Sequence, residues 1–320
     1  MPREIFRDFM SRALYTPGTG YYMRPEHPAS MAGDYITASQ HPLFAAALGL
    51  WLRERINGFA HPALADVGAG NGLFLLNLIA FLEKDDPAFL DRLTLYAVDK
   101  VRRFDHPRIS FLENAEDLPA IEGCVFSFEL FDALPCHLLA SEGNGWEELY
   151  VEDGAFVAGP LSDDRLAGWI AARGPALREG HKIEACLEAA PLYGLLASKL
   201  RRGLLLTFDY GFQASVLRRP GLFPNGTLMS YSGHRFGRDV LQNPGGQDIT
   251  YAVDFTALRE EGERHGLRTE GMRSLSALLA EAGRGLPPEA MAWNDPFPAR
   301  DLFFGAIGQD LKVLVQSRSD

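Results

Sequence analysis

The chain has 320 residues, 47% of them apolar, and a formal net charge of −11 at pH 7. That length and apolar content are enough for a full hydrophobic core, built as one large domain or one domain with a substantial insertion. The acidic balance argues against nucleic acid or an anionic membrane surface as partner, since both need a basic footprint, and it favours a cationic substrate.

Cys124, Cys136 and Cys186 are odd in number and set in apolar contexts, without zinc-ligand spacing. They read as buried thiols of a reducing compartment, and no metal is expected. Residues 1–10 lack the apolar core of a signal peptide, and Glu4 and Asp8 oppose a transit peptide. The longest apolar run, 43–52, is too short to span a bilayer. These features predict a cytosolic location.

A short helix is expected over 3–14, then a Gly-, Pro- and Tyr-rich loop over 15–36, then a helix over 41–57. Strands at 63–67, 93–98, 108–112 and 124–128 alternate with helices at 72–83 and 131–140. Such alternation predicts a parallel sheet covered by helices on both faces. Asp153-Gly154 centres a hairpin over 146–158, and a helix over 186–201 leads into a buried strand at 203–211 with Asp209 at its carboxyl end. Residues 212–250 show little periodicity, and a stretch that long is usually a functional lid or a linker. Helices at 254–265 and 274–283 and two strands, 301–307 and 311–316, close the chain, the last pair suggesting an antiparallel edge hairpin. The division is therefore an N-terminal extension and lid (1–60), a nucleotide-binding core (61–211) with a hairpin insertion near 146–180, an inserted substrate region (212–253) and the C-terminal part of the core sheet (254–320).

The densest signal is Leu64-Ala-Asp66-Val-Gly68-Ala-Gly70-Asn-Gly72, an apolar strand that runs into three alternating glycines and a helical run. Glycines there let the backbone take positive φ and approach a ligand that a Cβ would hold off, at a helix N-terminus suited to nucleotide-like groups. A dinucleotide fingerprint needs glycine where Leu73 stands, so the spacing favours the Asp66-x-Gly68-x-Gly70-x-Gly72 turn of class I S-adenosylmethionine (SAM) methyltransferases.

Asp99 ends the second strand 27 residues beyond Gly72, a little farther than the roughly 20 typical of dinucleotide folds, with an inserted loop around 85–91 as the reason. It is the candidate for the ribose hydroxyls, and Ala115 and Glu116, after the third strand, are placed to border the adenine. At the end of the fourth strand, Glu129 and Asp132 stand three apart where strand becomes helix. They read either as a helix cap or as a carboxylate pair that would orient a guanidinium and take its proton. Gly33, Asp34 and Thr37 are candidates for a cover over the methionine end of the cofactor, and His234 with Tyr231 for a proton relay or a loop anchor.

With these segments on the page, the chain resembles the MidA-like family, which includes a mitochondrial complex I assembly factor described as a protein arginine methyltransferase. The match is distributed: Ala13-Leu14-Tyr15-x-Pro17 with Gly20-Tyr21-Tyr22, Gly33 to Thr37, Val67 to Gly72, Glu129 to Pro135, Ile183-Glu184, Asp209-Tyr210-Gly211, Gly226-Thr227-Leu228 with Tyr231 and His234, and Asn243-Pro244-Gly245 with Asp248-Ile249-Thr250 and Val253-Asp254-Phe255 occur in the family's order. The resemblance implies a class I methyltransferase sheet with an N-terminal helical extension and an inserted substrate-binding region, SAM as cofactor, and an arginine of a partner protein as acceptor. Departures stand at Phe128, where the family has asparagine, at Asp99-Lys100-Val101-Arg102 and at Tyr251-Ala252. They leave a small-molecule acceptor, or an assembly chaperone that binds its client without catalysis, as the alternatives. The pattern leaves the oligomeric state open.

Overall fold

A computed structural model of the chain describes residues 3–24, 37–143, 145–174, 180–286, 302 and 305–319. The central sheet begins at β2 (Ala63–Val67), whose five residues are all buried, and continues through β3 (Thr94–Val98), β4 (Ile109–Leu112), β5 (Ile121–Phe128), β10 (Leu200–Phe212), β15 (Arg268–Ser274) and β16 (Leu311–Arg318). Its spatial order is β15-β16-β10-β5-β2-β3-β4, with the short β14 (Val253–Asp254) beside the end of β10. β4, β3, β2, β5 and β10 run parallel, and β16 is antiparallel to both of its neighbours. Every parallel strand therefore ends on the same edge, where open α/β sheets hold ligands.

Helices cover both faces. α2 (Pro42–Ile56), α3 (Leu73–Asp85) and α9 (Leu275–Ala282) pack on one, and α6 (Ala189–Lys199) and α8 (Phe255–Arg264) on the other. α2 starts at Pro42, capped by the His41 ring nitrogen, which accepts from the Leu43 amide. Residues 43–52 of α2 are buried on all sides, the pattern of a helix enclosed within the protein.

A second, antiparallel layer is built from β1 (Glu4–Ile5), β6 (His137–Glu142), β7 (Gly145–Glu152), β8 (Ala155–Gly159) and β9 (Lys182–Ala185). α1 (Phe6–Tyr15) packs on it through Phe6, Phe9, Met10 and Leu14, and the same cluster takes in Leu228, Ile249 and Tyr251 from the 212–253 stretch. That stretch carries a small sheet of β11 (Met229–Ser232), β12 (Arg235–Gly237) and β13 (Asp248–Thr250). The N-terminal extension and both insertions thus share one core.

Three expectations are corrected. Residues 131–140 form no helix, because Pro135 ends the turn and β6 starts at His137. β6 lies between β7 and β9 and is buried on both faces, so its apolar run shows no alternation to mark it as a strand. The 85–91 segment is not a loop but contains α4 (Pro87–Arg92), with Pro87 in its first turn and Asp86 accepting from the Phe89 amide. Among the described residues there is no closing hairpin: Ala306–Asp310 is helical, β16 inserts between β10 and β15, and residues 301, 303 and 304 lie outside the description. β15, with the sequence Arg-Thr-Glu-Gly-Met-Arg-Ser, is a half-exposed edge strand whose polar residues concealed it.

Candidate functional site

The carboxyl edge of the central sheet opens into a cleft of about 500 Å³, a volume within the range of small-ligand sites. Its floor is the turn between β2 and α3, where Gly68, Gly70 and Gly72 have φ of 82°, 58° and 72°. The Gly68 and Ala69 amides donate to the Val98 carbonyl, which ties the turn to β3. The Gly70 amide donates to Asp99 Oδ2 at 2.8 Å and the Val101 amide to Oδ1 at 3.0 Å. Arg103, buried at 4% side-chain exposure, pairs with the same Oδ1 at 3.4 Å. Its guanidinium also donates to the carbonyls of Tyr22 and Arg24, so one side chain joins Asp99 to the N-terminal segment.

Of the residues singled out from sequence, Thr37, Asp66, Gly68, Gly70, Asp99, Ala115, Glu116 and Glu129 line this cleft. Gly72 does not. A Cβ there would stand 2.4 Å from the Phe104 ring, so its missing side chain makes room for Phe104 rather than for a ligand. Asp132 is buried at the edge of the cleft rather than on its wall, and Gly33 and Asp34 lie outside the described residues.

His234 does not line the cleft. Gly233 and His234, with φ of 55° and 59°, form the two-residue turn between β11 and β12, and the imidazole is exposed, away from the cleft wall. Two positive φ values suit the turn type that joins twisted strands, which accounts for this residue's place.

The acids are organised around Asp209, which is fully buried near the end of β10. Its Oδ2 accepts from the Phe131 amide at 2.9 Å and the Asp132 amide at 3.4 Å, and its Oδ1 from the Tyr210 amide. These bonds secure the turn in which Glu129 holds a left-handed φ of 49° and donates its amide to the Phe208 carbonyl. Asp248 joins from β13, accepting from the Tyr22 hydroxyl at 2.8 Å.

Burial, followed by the charges of Asp209 and Asp248, pushes the Glu129 carboxyl up from its ordinary value. Burial together with Asp209, Glu129 and Asp248 does the same for Asp132. Asp209 is raised by burial to about 7, against the lowering effect of its backbone donors. Glu129, Asp132 and Asp209 therefore hold protons more readily than free carboxyl groups, and a cation brought among them would release those protons.

Tyr15 and Tyr22, stacked at 5.7 Å, and Arg103 also line the cleft, and none was assigned a role from sequence. The tyrosines sit in the recognised N-terminal segment, but only folding brings it to the sheet edge. Phe128, where the family has asparagine, forms an apolar wall stacked on Phe208 at 5.5 Å.

Asp66, at the end of β2, is pushed up to about 8 by burial and secondarily by Asp99. Its folded value lies above its unfolded one, so its proton stabilises the fold at low pH. That contribution is lost as pH rises from about 4 to about 8. Asp66→Asn, with no charge to bury, is expected to gain on the wild type by several degrees in Tm between pH 5 and pH 8. A constant difference in Tm across that range, followed by calorimetry, would refute the assignment.

A family model described as "Putative S-adenosyl-L-methionine-dependent methyltransferase" matches residues 47–273. The chain belongs to this family. A solved structure from Burkholderia thailandensis, bound to S-adenosyl-homocysteine, is similar to the methyltransferase with a TM-score of 0.83 and 27% identity, covering 99% of this chain and 88% of that one. Curated relatives named as protein arginine methyltransferases include one from Drosophila melanogaster, 25% identical over 86% of this chain and 73% of its own length. The Mus musculus relative is 24% identical over 79% of this chain and 64% of its own length, so the methyltransferase spans less than two thirds of that protein. These relatives correct the cytosolic expectation, because each is named as mitochondrial. Among the described residues, no helix is long and apolar enough to cross a membrane.

The methyltransferase is SAM-dependent, and the glycine turn fits that cofactor. Gly68 and Gly70 present bare backbone to the cleft at positive φ, beside a carboxylate oriented by two amides and an arginine.

Proposed function

We propose that the methyltransferase modifies an arginine side chain of a partner protein. The observation that carries this reading is the grouping of Asp132, Asp209 and Asp248 around Glu129 of the cleft wall, close enough for Asp209 and Asp248 to act on both Glu129 and Asp132. A guanidinium is the side-chain cation that matches paired carboxylates with directed, charge-assisted bonds. The names of the curated relatives support the same acceptor.

In this reading Gly68 and Gly70 would hold SAM, with Asp99 for its ribose hydroxyls, Ala115 and Glu116 for its adenine and Thr37 for its methionine end. The cofactor supplies an electrophilic methyl carbon on a sulfonium. The chain supplies position and proton removal. Glu129 faces the incoming guanidinium, whose pKa of about 12 or above requires that a proton leave as its nitrogen attacks. Pairing with the cation draws the raised carboxyls back to their ionised form, so the base is made ready by the substrate itself. Asp209 acts through the backbone by holding the Phe131 and Asp132 amides, and Tyr22 orients Asp248.

The test supplies isotopically labelled SAM to the purified chain with matched peptides that carry a single arginine or a single lysine. Label in the arginine peptide alone is expected. Label only in metabolites of a cell extract would replace this reading with a small-molecule acceptor, and no label in either, despite SAM binding, would favour a client-binding role.

A further inference from the structure

A second cavity, of about 80 Å³, lies on the other side of the 130–135 segment from the cleft. Phe131 lines this cavity, whereas Leu130, Ala133, Leu134 and Pro135 line the cleft, and no residue lines both. Trp169, Leu217, Phe223 and Leu258 give it apolar walls, and two guanidinium groups, those of Arg173 and Arg218, enter its lining.

Those two cations share one carboxylate. Arg173 and Arg218 stand 3.7 and 3.8 Å from the same Asp254 oxygen, both beyond hydrogen-bond distance. The other Asp254 oxygen is occupied by the Thr256 and Ala257 amides, which it caps at the start of α8. Arg173 has a further partner in Glu260, half-exposed, at 2.8 Å. Glu184, the other acid of the wall, already accepts from the Thr227 amide and hydroxyl and from the Leu228 amide. His181 also lines the cavity at 4% exposure. Its Nε2 donates to the Phe223 carbonyl, and its Nδ1 is buried without a hydrogen-bond partner among the described residues. The lining therefore combines two guanidinium groups that share one Asp254 oxygen beyond hydrogen-bond distance with a buried imidazole nitrogen whose hydrogen bond is unmade among the described residues, and a buried polar group left so is costly.

We propose that this cavity is a binding site for a small oxyanion, a carboxylate or a phosphate, held by Arg173 and Arg218 beside His181. Arginine forks suit both anions, and the volume admits a group of a few heavy atoms. The occupant would touch Phe131 and Tyr251. Tyr251 donates its hydroxyl to the Phe131 carbonyl and its amide to the Asp132 carbonyl, so the site adjoins the supports of the acidic turn. The inference is independent of which acceptor the methyltransferase uses.

The experiment is titration calorimetry of the full chain at constant low ionic strength with inorganic phosphate, acetate and benzoate, and with chloride as control. Saturable binding of at least one oxyanion, with Kd near or below roughly 1 mM, is expected. Arg218→Ala should weaken it at least tenfold while S-adenosylhomocysteine binding stays unchanged. Arg218 is about one-third exposed, so its variant should keep the wild-type Tm, and it decides the matter should Arg173→Ala fail to fold. Preference for benzoate and acetate would identify a carboxylate site, and preference for phosphate a phosphate site. Absence of saturable binding by all three, or binding undiminished in Arg218→Ala, overturns the proposal.

Discussion

Glu129→Gln is expected to slow methyl transfer by about 100- to 10,000-fold, the usual contribution of a positioned proton acceptor, while S-adenosylhomocysteine affinity changes by less than about tenfold. The amide keeps the shape of the side chain and can donate or accept a hydrogen bond, but it cannot take a proton from a guanidinium. The effect should therefore fall on kcat. The surroundings of Glu129 also set a pH dependence: burial and the neighbouring Asp209 and Asp248 hold its carboxyl above the ordinary range. The active, ionised form grows as pH rises, so the wild-type rate should climb with pH and flatten once Glu129 is ionised. The variant should lose that limb. Asp132→Asn should slow transfer less, because Asp132 lies behind the cleft wall and shares its amide with Asp209. A Glu129→Gln enzyme with wild-type kcat and an unchanged pH profile would remove this residue from the chemistry and return the turn to a capping role.

The second large effect is on folding. Gly72→Ala should destabilise the chain by about 2–5 kcal/mol, the sum of about 1–2 for a left-handed alanine and about 1–3 for overpacking. The first contribution follows from φ of 72°, and the second from the 2.4 Å approach of the new Cβ to Phe104. A Tm lower by roughly 5–15 °C is the corresponding observable. The two contributions separate in a double-mutant cycle with Phe104→Ala. Removing the ring relieves the overlap but not the backbone strain, so the double variant should be more stable than the sum of the single effects predicts, by about 1–3 kcal/mol. Additivity would show that Phe104 moves aside at no cost and that Gly72 matters through its φ alone.

The glycine turn and the strands around it were legible because local chemistry determines them. Asp66 to Gly72 combine an apolar strand with positive-φ positions that only this residue type fills easily, and β2, β3 and β5 bury near-continuous apolar runs. Asp99 was legible for the same reason, as an acid at a strand end at a workable distance from the glycines. Glu129 and Asp132 were found as a pair, but their environment was not. Its determinant is Asp209, 77 residues beyond Asp132, whose carboxylate reaches the turn only because β5 and β10 are adjacent and in register.

Tertiary structure alone decided the rest. Tyr15, Tyr22 and Arg103 meet at the cleft because the N-terminal helix packs on the inserted sheet, a contact between segments that have no local signal for each other. β6 and β15 escaped notice because one is buried on both faces and the other lies half-exposed at an edge, so neither shows the alternation that marks a strand. His234 took its place from turn geometry rather than chemistry. The sequence by itself determined the cofactor turn, since a short peptide's backbone freedom and the spacing of its glycines are local properties. Which carboxylates face one another, and which glycine faces a ring rather than the cleft, were decided by strand order and long-range packing, which no single segment encodes.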